Sequence, residues 1–217
     1  MLLYAVIPPD ATAPDGHGLA NHRLETIRSS LAAMIVEECP DRLAGTNEES
    51  RTFAEILCDL PATTPLLPVR FPTMLATRSA VLAELQANET AWSKRLAELR
   101  GLAEVVIRAQ WPNPDQELAA ASSRSGTSYL EGRAAALRRR DASVAEISHL
   151  VRDWARETKV LPSQDGIRIA CLVSHADIPQ LRDAVLRWQQ AGDHGQVVVG
   201  GPWPPFSFVV EQEAETA

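Results

Sequence analysis

The 217-residue chain has little of what most readily betrays a function. Its cysteines, Cys39, Cys58 and Cys171, are odd in number, scattered and without a CxxC pair. Such a set excludes a disulfide framework and a cysteine-rich zinc site, and reads as reduced, buried thiols. Aromatic residues make up only 5%, so a core must be built from Leu, Val, Ile and Ala. Basic charge is in deficit: the formal net charge of -7 argues against general affinity for nucleic acid or anionic lipid. The one basic run, Arg138-Arg139-Arg140, is followed at once by Asp141 and reads as a solvated helix face. No stretch reaches about 18 consecutive apolar residues, and Leu2–Ile7 is too short for a signal-peptide core and has no basic segment before it. The expectation is a cytoplasmic protein with no membrane and no nucleic-acid partner.

Motifs for chemistry are missing as well. His17, His22, His149, His175 and His194 show no HExxH or other compact ligand spacing. Gly16-His17-Gly18 lacks the third glycine and the strand-to-helix setting of a dinucleotide site, and no GxxxxGK[ST] occurs. Ser174-His175-Ala176-Asp177 holds the residue types of a hydrolytic triad, but neighbours in sequence point in different directions and cannot relay one proton in line. Strand-end and helix-cap roles explain the same residues. Carboxylate pairs such as Glu37-Glu38 and Glu48-Glu49 lie side by side, as solvated acids do. No catalytic residue, metal or cofactor is expected.

What the chain does have is 45% hydrophobic residues in a readable rhythm. A strand at Leu2–Ile7 ends at Pro8-Pro9, and a loop follows from Asp10 to Asn21. Leu24–Arg28 and Leu31–Cys39 read as a hairpin, although Leu31-Ala32-Ala33-Met34 would also tolerate a helix. Asn47 is placed to cap a short helix with Phe53, Ile56, Leu57 and Leu60 on one face. Leu66–Phe71 is a strand whose Pro68 puts it at an edge or a bulge. Ser79–Arg100 is a long helix with a stripe of Leu82, Leu85, Trp92, Leu96 and Leu99, stopped by Gly101. That stripe serves either the core or a partner helix.

The second half reads strand, helix, strand, helix, strand. Val105–Ala109 is broken by Pro112-Asn113-Pro114, and a helix runs from Gly126 to about Thr158 with Leu130, Leu137, Val144, Ile147, Val151 and Trp154 on one face. Asp165-Gly166 turns into the strand Ile167–Val173. Asp177 caps a helix with Ile178, Leu181, Val185 and Trp188 inward, and Gly192–Gly195 turns into Gln196–Val199. With an extra strand near Lys159–Leu161 the order is βαββαβ. The fold class is therefore α+β in two domains: residues 1–100, ending in the long amphipathic helix, and 101–211, ferredoxin-like with a long helix of its own. Residues 212–217 form an acidic, disordered tail.

Near the end stands Gly200-Gly201-Pro202-Trp203-Pro204-Pro205-Phe206. Prolines fix φ and remove donors, so this segment is expected to leave the ladder as a stiff, extended finger carrying Trp203 and Phe206. It either folds back over a sheet edge or presents its rings to a partner at low ordering cost.

The segment Gly201–Phe208 resembles the C-terminal GPWPPYSF signature of the gas vesicle protein F/L family, with Phe206 in place of tyrosine. Leu3-Tyr4-Ala5-Val6 resembles the family's opening strand. Leu67–Phe71 resembles its LPVRFGT motif, with Pro72 where the glycine stands. Ser125–Arg133 resembles its GxxYLxxK/R helix start. The resemblance spans the chain and implies two α+β domains, the second a modified ferredoxin fold. It also implies an accessory role in gas vesicle formation without catalysis, with the small hydrophobic shell protein and other accessory proteins as partners. Candidate partner-binding residues are Trp203, Pro204, Pro205 and Phe206, with Leu82, Leu85, Trp92 and Leu96 as a second apolar surface. The competing class is a ferredoxin-like regulator that binds a small molecule. A hydrolase built on Ser174, His175 and Asp177 is more distant.

Overall fold

A computed structural model describes residues 1–39, 43–110, 126–163, 166–192 and 195–208. They cluster into two compact units, Met1–Ala103 with the residues from Trp203 onward, and Glu104–Pro202. Readings that fall on Pro112-Asn113-Pro114, Asp165 and the 212–217 tail lie outside the described residues.

In the first unit β1 (Leu2–Ile7) lies between β3 (Ala33–Glu37) and β4 (Leu67–Met74), with β2 (Leu24–Arg28) beyond β3. All neighbours are antiparallel. β4 carries Pro68 and Pro72 and stands at the edge, where absent N–H donors interrupt no second ladder. Leu3 pairs with Val36 and Ala5 with Ile35, so Tyr4 is the extra residue of a bulge. The bulge shifts the alternation by one, and Leu2, Tyr4, Ala5 and Ile7 join a single cluster with Phe53, Leu57 and Leu60. Phe53 stacks on Tyr4 at 5.0 Å between ring centroids and tilts against Phe71 at 5.1 Å.

Phe53 and Leu57 come from α1 (Asn47–Cys58). Its cap is Thr46 rather than the expected Asn47. The Thr46 hydroxyl accepts from the Glu49 N–H at 3.2 Å, and the Glu49 carboxylate accepts from the Thr46 N–H at 2.7 Å. This reciprocal pair outcompetes a lone Asn one residue later. α2 (Arg78–Leu99) packs against β2, β3 and β4 and buries Val81, Leu85, Leu96 and Leu99.

A polar knot ties the loop between β1 and β2 to the sheet. Glu37 is fully buried, and its Oε2 accepts from the Tyr4 hydroxyl at 2.7 Å while its Oε1 accepts from the His22 N–H at 2.9 Å. The Leu19 N–H donates in turn to the Tyr4 oxygen at 2.9 Å. Burial raises the Tyr4 pKa above the usual phenol range, and the Glu37 carboxylate adds to the shift. Gly18 passes so close that a Cβ there would overlap the Glu37 carboxylate and the Tyr4 hydroxyl. The outer end of the loop is held by Arg28, which donates to the carbonyls of Pro9 and Ala11.

The second unit is built from β5 (Leu102–Gln110), α3 (Gly126–Leu150), β6 (Ala155–Leu161), β7 (Ile167–Ser174), α4 (Ile178–Ala191) and β8 (Gln196–Trp203), in sheet order β6-β7-β5-β8. Hydrophobic spacing alone carries the helix to Thr158, but α3 ends at Leu150. A turn follows in which the Ala155 N–H donates to the Val151 carbonyl at 2.8 Å, and Ala155–Leu161 pairs antiparallel with β7. The ladder decides these residues, as tertiary context does wherever local preference is weak. The expected apolar face is corrected too. Ile147 and Val151 are fully buried, yet Leu137 is 52% and Leu130 65% exposed. Trp188, expected inward, is half-buried and donates through Nε1 to Glu146 at 3.1 Å. No helix among the described residues is long and apolar enough to cross a membrane.

Two stability outcomes follow from this packing. Ile147→Ala should destabilise the second unit by about 2–5 kcal/mol, whereas Leu137→Ala should stay within about 0.5 kcal/mol of the parent, both read from urea unfolding. Tyr4→Phe strands a Glu37 oxygen and the Leu19 N–H, at a cost of about 1–3 kcal/mol in the unfolding of the first unit.

A candidate protein-contact surface at the end of the chain

β8 runs through both glycines and Pro202 to Trp203. The prolines alone predict an earlier end to the ladder. Pro202 is tolerated because β8 is an edge strand, so one side of its backbone needs no donor. Gly201, at φ 115, takes a conformation that side chains disfavour, and its carbonyl accepts from the Arg182 guanidinium of α4. Beyond Trp203 the chain turns twice. The Phe206 N–H donates to the Pro204 carbonyl at 2.7 Å, and the Phe208 N–H to that of Pro205 at 3.0 Å. Phe206-Ser207-Phe208 is thus a turn, where an extended finger was expected.

Each side chain of the motif has its own setting. Trp203 is 45% exposed and Pro204 half-buried, whereas Pro205 is buried. Phe206 is half-buried and packs against the cluster around Tyr4 and Phe53. Phe208 is buried, and its carbonyl accepts from Arg95 Nη2 at 3.1 Å. Arg95, on α2, also pairs through Nη1 with Glu98 at 3.0 Å. These contacts draw Trp203 and the residues after it into the first unit, although sequence rhythm groups them with the second.

The other expected apolar surface is not an open face. Leu85 and Leu96 are buried, and Leu82 and Trp92 are half-buried. Arg95 and Arg182, which hold carbonyls of the terminal segment, were not readable from sequence, since their partners lie 113 and 19 residues away. The single local sign was Glu98, three residues after Arg95.

Ser174, His175 and Asp177 form no relay. The Ser174 hydroxyl accepts from the Ala176 N–H at 3.3 Å and caps the 3-10 turn His175–Asp177. Asp177 makes no side-chain cap bond to α4, contrary to expectation, because its backbone is already helical there. Cys39 and Cys171 are buried as expected, but Cys58 is exposed at the end of α1. Burial, aided by the Glu104 charge, pushes the Cys171 thiol up to about 12. Among the described residues no group of His, Cys, Asp and Glu is placed to hold a metal ion.

Residues 1–210 match the family model described as gas vesicle synthesis protein GvpL/GvpF. The chain is 27% identical over 206 residues to gas vesicle protein F of a Streptomyces species, covering 84% of this chain and 86% of that one. Its fold is similar to the crystal structure of GvpF from Microcystis aeruginosa, with TM-score 0.74, 20% identity and coverage of 95% of this chain and 97% of that one. It is also similar to GvpF from Anabaena sp., with TM-score 0.77, 16% identity and coverage of 95% and 94%.

The motif should separate in thermal melts. Phe208→Ala empties a fully enclosed site and should cost about 3–5 kcal/mol. Trp203→Ala removes a ring that is nearly half in water and should lower stability by about 1 kcal/mol or less.

Proposed function

The chain belongs to the GvpL/GvpF family of gas vesicle synthesis proteins, and from that premise we propose that it is a non-enzymatic assembly factor that binds the small hydrophobic shell protein and other accessory proteins of the vesicle. Membership carries the accessory role in gas vesicles. The contact to the shell protein rests on one observation: a tryptophan 45% exposed on a backbone fixed by Pro202 and Pro204. A rigid aromatic loses little freedom on docking, and such anchors often carry about 2 kcal/mol or more of a complex. Trp203, Pro204 and the outer edge of Phe206 make up the proposed contact. An apolar shell subunit needs its faces covered until it enters the wall, and an exposed ring beside stiff prolines suits that task.

In this reading the second unit is a ferredoxin-like module and forms a domain distinct from the first. Support comes from the βαββαβ element order and from a sheet in which β5 lies between β7 and β8. The place of work is the cytoplasm, at the growing vesicle.

Trp203→Ala should lower capture of co-expressed shell protein in a pull-down by about tenfold or more while leaving the melting profile near that of the parent. Undiminished capture by the variant would remove Trp203 from the contact.

A further inference from the structure

The terminal segment has a property that the assembly role does not require. We infer that the first unit carries a peptide-binding groove, and that Pro204–Phe208 of the same chain is its reversible ligand, a latch seated on the unit without joining its sheet. The latch is independent of what Trp203 touches.

Four observations carry this. First, Pro204–Phe208 add no strand to the sheet, and their turns are closed by their own Pro204 and Pro205 carbonyls. The segment therefore carries its shape with it. Second, its two phenylalanines act as knobs: Phe206 packs on the Tyr4–Phe53 cluster, and Phe208 is 1% exposed. Third, a polar stop ends the seat, where Arg95 donates to the Phe208 carbonyl and is itself aligned by Glu98. Fourth, the residues before it, up to Pro202, cluster with the second unit, so the chain passes between the units just ahead of the segment.

A preset peptide with two apolar anchors and a charged-group hydrogen bond, joined to the chain it binds, is the physical description of a cis ligand. Its opening requires rupture of the Phe206 and Phe208 contacts and of the Arg95 hydrogen bond, but of no β-ladder among the described residues. When it opens, the apolar seat beside Phe53 is bared.

Two measurements test the latch. In native-state hydrogen exchange on the full chain, the amides of Phe206, Ser207 and Phe208 should exchange about 100-fold or more faster than those of β1, through an opening that leaves the sheet intact. If they exchange at the rate of β1 and respond equally to denaturant, the segment belongs to one cooperative core and the latch is wrong. In the second, the full chain bearing Phe206→Ala and Phe208→Ala is titrated with a fluorescent synthetic peptide of the sequence Gly201–Phe208. The variant should bind saturably, the parent about tenfold or more weakly because its seat is filled, and a peptide with serine at both phenylalanine positions should bind neither. A folded variant that ignores the peptide, or equal binding to variant and parent, overturns the proposal. Should the variant fail to fold, the exchange rates decide alone. Labelled chains that take one another's segments would identify a second copy as an alternative occupant of the same seat, and a cis latch would then be the wrong assignment.

Discussion

A buried carboxylate must have its oxygens matched, and at Glu37 that requirement organises half of the first unit. Leaving such a group unpaired costs more than a surface contact ever returns, so the partners are constrained in turn. One of them is a phenol, and it reaches the Glu37 carboxylate from the bulge at Tyr4. The other is a main-chain N–H at His22, which fixes where the loop must pass. Passing there leaves no room for a Cβ at Gly18. The same bulge resets the alternation of β1 so that Ala5 and Ile7 face α1 with Tyr4. Core packing and loop course are thus two outcomes of one electrostatic demand.

The end of the chain divides its labour by residue. Trp203 looks outward, Phe206 straddles the surface, and Phe208 is enclosed. A motif that reads as one aromatic finger is three chemical environments within six positions. The prolines make that division sharp, since a stiff backbone cannot average its side chains between inside and outside. Covering and contacting are then not rival functions of the segment. In the proposed reading they belong to different side chains of it.

Much of this was legible and some of it could not have been. The Leu24–Arg28 hairpin arm, both long helices and the edge position of the Pro68 strand follow from periodicity and proline chemistry, which act locally. The turn at Val151 is different. Glu157 and Thr158 fit a helix as well as a strand, and the choice between them is made by β7, which supplies the ladder. The exposed Leu130 and Leu137 misled for a related reason: spacing shows that a stripe exists, while the neighbouring elements set how far along the helix it is covered. Arg95 was invisible as a clasp because its partner is a carbonyl more than a hundred residues away, and backbone acceptors leave no trace in residue identity. Trp203 and its prolines were legible as a rigid display, but Phe208 carried no mark of its enclosure.

That the first unit takes its last pieces from the far end of the chain has a temporal meaning. Translation delivers Ala103 and Phe208 about a hundred residues apart, roughly 5–20 s at ordinary elongation rates. For that interval residues 1–103 lack the Phe206 side chain that packs on their Tyr4–Phe53 cluster, while residues 104–202 are still being made. A chain released early keeps that apolar site open permanently, and chaperones and proteases recognise such sites.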